Sequence, residues 1–310
     1  MDHATAAFTQ APATKMPRNC PPPSTRRGAG SLILSNMDRR QFLQTAVMGT
    51  AGAAIGAGLA DASRRLRVTW HSVPMRLETD RQLLVAHLTD LHLGRATPTW
   101  LAHHAARRAA QMHPDLTVLT GDYLNHSLGY LDRLHALLPL LPRPCVATLG
   151  NHDHWSGAGV IRRVLRQHGV TVLSNESARI ETRAGPLTVV GVDDGRTRHD
   201  DVPRAFARVA DPARALVLAH YPRTAGKIER HGGRVILSGH THGGQIHVPV
   251  LTPALGRLGG NRYLAGWYQV GAARLYVNAG IGASVIGLRV GRRAAPELCL
   301  LRLRPRARRA

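Results

Sequence analysis

Five short motifs in this chain carry side chains that commonly bind metal ions. In chain order they read T-D-L-H, T-G-D-Y-L-N, G-N-H-D-H, A-H-Y-P and G-H-T-H. The residues that they contribute are Asp90, His92, Asp122, Asn151, His152, Asp153, His220, His240 and His242. This mixture of carboxylate, amide and imidazole groups is large enough for two divalent metal ions, and it suits Mn, Fe or Zn better than Mg or Ca. Two adjacent cations can hold the attacking and leaving oxygens of an in-line displacement at phosphorus.

Each motif follows a short, continuous apolar run. The runs cover residues 83–88, 116–119, 145–149, 216–219 and 235–237. Uninterrupted apolar runs bounded by polar turns are typical of strands that are buried on both faces. The stretches predicted to be helical are 98–112, 129–141, 157–168 and 222–231. This alternation predicts a layered α/β fold, in which the motifs meet at the carboxyl ends of the strands.

Further strands are predicted outside this repeating pattern. Residues 63–81 indicate an edge strand or a hairpin, and residues 171–173, 178–180 and 187–190 are predicted to be strands with a turn at Gly185-Pro186. Strands over 274–277 and 297–301 are expected to complete a second sheet packed on the first. The arginine-rich end of the chain, from Arg302 to Ala310, is expected to fray.

The order and separation of the motifs resemble the calcineurin-like metallophosphoesterase superfamily over about residues 82–304. The resemblance implies an α/β fold, specifically a layered α/β/β/α sandwich of two mixed β-sheets flanked by helices. It makes residues 63–304 one metallophosphoesterase domain, followed by a basic tail over 305–310. The longer motif G-H-T-H-G-G-Q, from Gly239 to Gln245, is similar to one bacterial branch, some members of which carry twin-arginine signals. Enzymes assigned to that branch cleave phosphodiesters, phosphomonoesters or a nucleotide-lipid pyrophosphate bond of the lipid A pathway.

The same resemblance implies a role for each motif residue. The metal ligands that it implies are Asp90, His92 and His242 for a first cation, Asn151, His220 and His240 for a second, and Asp122 as a bridge between them. A hydroxide shared by the two cations would then attack phosphorus in line. His152 matches a catalytic imidazole near the leaving oxygen, and Asp153 matches its orienting partner. The chain departs from the family at Asn125, where many relatives carry an acid, and we expect activity to survive that change.

Other residues of suggestive type have a weaker context. His87 lies inside a predicted strand and is expected to be a buried structural histidine. His154 and His247 each closely follow a motif; we expect them to face solvent or core, and a position facing the pocket is the alternative. Histidines without motif context receive no role; they are His103, His104, His113, His126, His135, His168, His199 and His231. Aromatic residues that are candidates for a pocket are Tyr123, Trp155, Trp267 and Tyr268. Cys145 and Cys299 are expected to be buried free thiols.

The N-terminal part of the chain predicts export. Residues 1–36 are predicted to be a disordered extension, and Met37 is an alternative start. Residues 37–62 have the charged start, short apolar run and A-x-A site of a signal peptide. Arg39-Arg40 followed by Phe42-Leu43 resembles a twin-arginine signal, so the twin-arginine export machinery is an expected partner. Cleavage after Ala62 would give an exported protein of the periplasm or cell envelope, and failed cleavage would leave an anchor.

The charge balance is strongly basic. The 310-residue chain has 41 Lys and Arg against 19 Asp and Glu, a formal net charge of +22. A basic surface attracts phosphate esters and anionic lipid headgroups, which favours a phosphate-ester substrate and a peripheral contact with the membrane or cell envelope. A merely solvated basic surface is the simpler interpretation of the same charge. Two alternative functions stay open: a nuclease, although no recognisable nucleic-acid module is present, and a catalytically idle scaffold of the same fold.

Overall fold

A computed structural model describes residues 65–246, 262–284 and 287–306 of the chain. The predicted extension, the predicted signal peptide with its paired arginines, and His247 lie outside these residues. The strands of the described part are numbered in chain order and form two six-stranded sheets. The first sheet contains β1 (Arg67–Met75), β2 (Leu83–Leu88), β3 (Leu116–Thr120), β4 (Cys145–Thr148), β5 (Thr171–Val172) and β12 (Glu297–Pro305). The second contains β6 (Glu176–Thr182), β7 (Gly185–Val192), β8 (Leu216–Ala219), β9 (Val235–Ser238), β10 (Gly266–Val270) and β11 (Ala273–Val277).

Both sheets are mixed, and each has a parallel block at its centre. In the first sheet the order is β1-β12-β2-β3-β4-β5, and β2 to β5 run parallel to one another. Strand β12 pairs antiparallel with β2 and parallel with β1. In the second sheet the order is β10-β11-β9-β8-β7-β6, where only the outer pairs β10-β11 and β6-β7 are antiparallel. The carboxyl ends of the parallel strands in each sheet therefore lie at one edge.

Helices occupy the connections between the parallel strands. The α-helices of the described part are α1 (Thr99–Gln111), α2 (Leu131–Leu137), α3 (Asn151–Ser156), α4 (Ala158–Gln167), α5 (Val202–Phe206) and α6 (Ala225–Arg230). All four predicted helical stretches are confirmed within a few residues, although 3₁₀ turns replace α-helix at both ends of 129–141 and at the start of 222–231. The short helices α3 and α5 were not predicted.

The core is divided into three apolar layers by the two sheets. Successive strand residues point to opposite faces, so Ala86 packs under α1 while Val85 packs between the sheets. In the second sheet, Leu218 faces the first sheet and Val217 faces the layer that contains α5 and α6. This arrangement confirms the α/β class and the layered α/β/β/α sandwich of two mixed β-sheets flanked by helices.

Three sequence-based predictions about strands are corrected. The last strand, β12, joins the first sheet rather than the second, because its buried residues Leu298 and Leu300 pack in the helix layer against that sheet. It extends to Pro305, so residues 302–305 form a strand and do not fray. The hairpin turn lies at residues 183–184, and Gly185 already belongs to β7. Strand β1 confirms the edge-strand prediction for residues 63–81.

Several buried groups behave as the sequence predicts. His87 is fully buried and lies 2.9 Å, Nε2 to Oγ1, from Thr120. Cys145 and Cys299 are buried free thiols. Among the residues that the structure describes, no helix is both long and apolar enough to cross a membrane.

Candidate metal centre

The five motifs meet where parallel strands of the two sheets end. Asp90 follows β2 by two residues, Asp122 follows β3 by two, and Asn151 begins α3 just beyond β4. From the second sheet, His220 directly follows β8 and His240 follows β9 by two residues. A hydrogen bond joins the two sheets here, because His220 Nδ1 lies 2.7 Å from the carbonyl oxygen of Thr120.

One group of potential ligands consists of Asp90, His92 and His242. The Nε2 atoms of the two imidazoles lie 3.1 Å apart, and both face Asp90 Oδ1, at 3.8 Å from His92 and 3.6 Å from His242. All three side chains are buried. These atoms converge on one small volume, as the ligands of one cation do.

A second group consists of Asp122, His220 and His240. His220 Nε2 lies 3.2 Å from Asp122 Oδ2 and 3.3 Å from His240 Nδ1. The carboxamide oxygen of Asn151 lies 3.2 Å from the same His220 Nε2. Because a carbonyl oxygen can only accept, the contact with Thr120 keeps a proton on His220 Nδ1 and turns Nε2 towards this group.

Asp122 connects the two groups. Its Oδ2 atom lies 3.2 Å from His220 Nε2 and 3.5 Å from His92 Nε2, so one oxygen faces both sets of imidazoles. Its other oxygen, Oδ1, accepts a 2.8 Å hydrogen bond from the backbone N–H of His152. A carboxylate fixed in this way can bridge two cations.

The charges of the centre favour a cation. Although burial alone would raise the pKa of Asp90, the imidazoles of His242 and His92 hold it well below its usual range. Burial alone would likewise raise the pKa of Asp122. The charge of His220 and the contact with its imidazole instead lower that pKa below its usual value. Burial alone would lower the pKa of His220. The charge of Asp122 instead raises that pKa well above its usual value. Buried carboxylates that stay ionised make a negative site in which positive charge is stabilised.

The imidazoles of His240 and His242 are held neutral. Burial, followed by the neighbouring charges of His220 and more weakly of Arg196, lowers the pKa of His240 to about 4. Burial also lowers the pKa of His242 well below its usual value. A neutral imidazole offers the lone pair that a metal ion requires.

The backbone at the centre is strained. Five of the predicted ligands have positive φ angles: 50° at Asp90, 41° at His92, 57° at Asp122, 74° at His240 and 51° at His242. Residues other than glycine seldom adopt this region, and each such residue costs on the order of 1–3 kcal/mol. Strain gathered at one set of polar side chains indicates a functional site.

Glycines let the backbone approach these ligands closely. A Cβ at Gly239 would overlap Asp90 Oδ2, and a Cβ at Gly150 would overlap Asp122 Oδ1. The motif glycines therefore leave room that only a hydrogen atom fills.

His152 lies beside the two groups rather than inside a loop. It is in the first turn of α3, and its ring centroid is 4.5 Å from that of His92. Burial lowers the pKa of His152 to about 4, which leaves the imidazole neutral near pH 7. Its buried Nδ1 has no hydrogen-bond partner among the described residues, so this atom is available to a ligand.

The expected contact of Asp153 with His152 is replaced by contacts with the backbone. Its carboxylate accepts hydrogen bonds from the N–H groups of Asp122 at 2.8 Å, Tyr123 at 2.9 Å and Gly150 at 2.9 Å. The reason is that α3 begins at Asn151, which points the third residue of the helix back across its N-terminus. Burial raises the pKa of Asp153 to about 7, whereas these N–H groups lower it.

Two neighbours of the centre were missed by the sequence analysis. The ring centroid of His126 lies 4.1 Å from that of His152, and its only sequence signal is its position four residues after Asp122. Arg289 is fully buried and donates from Nη2 to His242 Nδ1 at 2.8 Å. Arg289 lies far from every motif along the sequence, so this contact could not be predicted.

Of the aromatic candidates, Trp155 lies beside His152, with ring centroids 5.0 Å apart, whereas Tyr123 is buried and donates to Thr148 O.

The residues present fit a pair of divalent cations. A third group, His92, Asp122 and His152, overlaps the other two, and within each of the three groups the potential ligand atoms lie within 4.8 Å of one another. Their chemistry suits a first-row transition metal, because imidazole and carboxylate dominate and no cysteine belongs to these groups.

Comparisons with known proteins agree with this geometry. The family model described as calcineurin-like phosphoesterase matches residues 83–244. The chain is 32% identical over 235 residues to the uncharacterized metallophosphoesterase YkoQ of Bacillus subtilis, covering 72% of this chain and 84% of that protein. It is 31% identical over 275 residues to the phosphodiesterase YaeI of Escherichia coli, covering 86% and 99% respectively. It is 25% identical over 298 residues to the UDP-2,3-diacylglucosamine pyrophosphatase LpxG of Chlamydia trachomatis, covering 77% and 88%. The chain belongs to the calcineurin-like phosphoesterase family of metal-dependent hydrolases.

Proposed function

We propose that this protein hydrolyses a phosphodiester, a pyrophosphate or a phosphomonoester with two divalent metal ions. Asp90, His92 and His242 would hold one ion, and Asn151, His220 and His240 the other, with Asp122 between them. The observation that carries this proposal is the position of Asp122 Oδ2, which faces imidazole nitrogens of both groups at 3.2 Å and 3.5 Å. When bound, such ions polarise phosphoryl oxygens and lower the pKa of water. Their identity as Mn, Fe or Zn is part of the proposal.

The chain's own residues then orient the reactants. Asp153 fixes the backbone of Asp122 through the hydrogen bond at its N–H group, and so fixes the position of the bridging carboxylate. His152 faces the space beside both groups and would donate a hydrogen bond to the phosphoryl or leaving oxygen. The negative charge of a bound phosphate ester beside this imidazole would raise its pKa and so help it to carry a proton.

The proposed substrate class follows from the relatives and the charge. Two relatives are named for cleavage of a phosphodiester and of a nucleotide-sugar pyrophosphate, which supports a diester or pyrophosphate bond. The formal charge of +22 supports an anionic substrate, such as a lipid-linked or nucleotide-linked phosphate ester. We further propose that the twin-arginine sequence exports the protein to the periplasm or cell envelope, where a lipid-linked or nucleotide-linked substrate would meet it.

The test is a substrate panel on protein of known metal content. We expect hydrolysis of bis(p-nitrophenyl) phosphate, p-nitrophenyl phosphate or a nucleotide-sugar, increased by added Mn²⁺ and abolished by a chelator. Asp122→Asn should lower the occupancy of both metal positions, because the bridging oxygen becomes a weakly binding amide. Asp132→Asn makes the same chemical change on the exposed side of α2 and should leave both equivalents bound. Full retention of two metal ions by Asp122→Asn would contradict the bridging role.

A further inference from the structure

A cavity of about 570 Å³ lies next to the metal centre and has no role in the scheme above. Its lining residues are His154, Trp155, Arg196, Thr197, Arg198 and His199. We call it the arginine cavity. Ligand pockets commonly measure about 300–1,000 Å³, so this cavity can receive much more than a single phosphate group.

Both walls of the arginine cavity are attached to the metal centre. One wall is the end of α3, a helix that carries His152 in its first turn and Trp155 near its end. The other is the loop over residues 195–199, which begins at Gly195. A Cβ at Gly195 would lie 3.3 Å from the ring of Tyr221, and that ring packs edge-on against His240 with centroids 5.0 Å apart. The arginine cavity therefore adjoins the metal centre, through Trp155 beside His152 on one wall and through Gly195 near Tyr221 on the other.

The loop that carries the arginines is fixed in position. Asp194 is fully buried, and its Oδ2 accepts hydrogen bonds from Thr197 N at 2.7 Å and Thr197 Oγ1 at 2.8 Å. The backbone N–H of His199 donates to Asp194 O at 2.9 Å. The carbonyl oxygen of His199 accepts from Asn175 Nδ2 at 2.8 Å. The loop is thus already ordered without a ligand, which reduces the loss of conformational entropy on binding.

The opposite wall is equally ordered. His154 Nε2 lies 2.7 Å from Asp193 Oδ1, and the His154 ring stacks on that of His199 with centroids 3.9 Å apart. Trp155 is 53% exposed and lies nearly parallel to His126, with an angle of 4° between the rings. A large aromatic ring held exposed in a pocket offers a surface on which a planar ligand group can stack.

Arg196 and Arg198 are exposed cations in this cavity. Within the described part of the chain, neither forms a salt bridge or a side-chain hydrogen bond, in contrast to Arg179, which pairs with Glu78 and Glu181. A guanidinium group binds a phosphate through two parallel hydrogen bonds, and it does so best when no carboxylate competes.

We propose that the arginine cavity binds the part of the substrate that extends beyond the hydrolysed phosphorus, and that this part contains a second phosphate attached to a nucleoside. The second phosphate would bind Arg196 and Arg198, and the base would stack on Trp155. This inference rests on the proposed function, and it narrows the substrate to nucleoside diphosphates and their esters. It changes no bond-making step at the metal centre.

The test compares inhibitors that differ by one phosphate. Hydrolysis of bis(p-nitrophenyl) phosphate by the Mn²⁺-loaded protein is the reporter, and ADP, AMP and orthophosphate are the competitors, with free Mn²⁺ held constant. ADP should inhibit at least about tenfold more strongly than AMP. In the double variant Arg196→Gln, Arg198→Gln this preference should fall to about twofold or less. Equal inhibition by ADP and AMP in the wild type, or an unchanged preference in the double variant, would overturn the proposal.

Two further variants separate the contacts from the general charge. Trp155→Ala should weaken ADP and AMP alike by about tenfold and leave orthophosphate unchanged, as loss of one stacking contact predicts. Arg204→Gln, Arg208→Gln removes the same charge at a separate cavity of about 400 Å³ and should preserve the preference for ADP. If the two double variants lower the preference equally, long-range charge explains it and the cavity does not. Failure of the Mn²⁺-loaded wild type to hydrolyse any member of the substrate panel would instead refute the proposed function.

Discussion

Asp153 accepts a 2.8 Å hydrogen bond from the backbone N–H of Asp122, although the two residues belong to different motifs. The same carboxylate holds Tyr123 and Gly150, so one side chain fixes the loop after β3 against the start of α3. The position of Asp122, the proposed bridge, therefore depends on Asp153, whose carboxylate forms no hydrogen bond or salt bridge with a candidate ligand side chain among the described residues. Asp153 is a positioning residue.

Asp153→Asn should destabilise the fold and weaken metal binding. The amide keeps one accepting oxygen and turns its NH₂ group towards buried N–H groups, which leaves at least one of them without an acceptor. The expected loss is about 1–3 kcal/mol in the free energy of unfolding, measured by urea denaturation in EDTA. Asp201→Asn is the control, because Asp201 Oδ1 accepts from Arg204 N at the start of α5 and asparagine caps helices as well as aspartate does. Equal stability of the two variants would argue against the positioning role.

His152→Gln should keep both metal ions and lower kcat. The ring lies beside the proposed ligands and its Nδ1 has no partner in the described part of the structure, so it is free to act on the substrate. Loss of a group that assists proton transfer lowers rates by about 10²–10⁴-fold. His104→Gln, on the exposed side of α1, is the matched control. An unchanged turnover number with full metal content would remove His152 from the mechanism.

Gly239→Ala should damage the first cation site. The added Cβ would overlap Asp90 Oδ2 and Thr89 Oγ1, so the Asp90 carboxylate could not keep its present position facing His92 and His242. We expect weaker binding of one metal equivalent and a loss of about 1–3 kcal/mol of stability. Gly159→Ala places the same methyl group in α4 where nothing lies within 4 Å, so its stability should be unchanged or slightly raised. Metal titration and thermal unfolding of both variants would check this.

His87 should make the fold sensitive to acid. Burial lowers the pKa of His87 to about 4 from its ordinary value of 6.5. The unfolded chain then binds this proton more readily, so the free energy of unfolding falls as the pH drops from about 6.5 to 4, by roughly 3 kcal/mol from this group. In EDTA, His87→Gln should show a correspondingly smaller loss over that range than the wild type, whereas His104→Gln should match the wild type. Identical pH profiles for His87→Gln and the wild type would refute the assignment.

Export can be tested at the paired arginines. Arg39→Lys together with Arg40→Lys should retain the protein in the cytoplasm, because the twin-arginine machinery reads that pair. Fractionation of cells that express the wild type and the double variant would measure it, with Arg64→Lys, Arg65→Lys, an arginine pair beyond the predicted cleavage site, as the control. Normal export of the Arg39, Arg40 variant would count against a twin-arginine route.

The sequence predicted those features that depend on local pattern. Apolar runs such as 83–88 are strands, and the polar residues after them, such as Asp90 and His220, meet at one edge because parallel strands share a direction. The partner of β12 could not be predicted, since an apolar run of that length fits either sheet. The hydrogen bonds that Asp153 accepts depend on the helix that starts at Asn151. That helix has only six residues, which is too short to be predicted from the sequence pattern.

Long-range contacts around the centre were also beyond the sequence. Arg289 reaches His242 from a segment without a motif. The arginine cavity depends on Asp194, which holds the loop at Thr197, and Arg196 and Arg198 line the cavity together with His154 and Trp155. In a chain with this many arginines, no spacing distinguishes those two from the others.

The pairing of β1 with β12 has a consequence for the order in which the protein can be made. Thr69 in β1 donates to Glu297 in β12, a hydrogen bond between residues 228 positions apart. A ribosome delivers β1 early and β12 late, so during translation β1 has no neighbour and one side of β2 stays open. The first sheet closes only after almost the whole domain has emerged, and until then β1 and one edge of β2 have no strand to pair with.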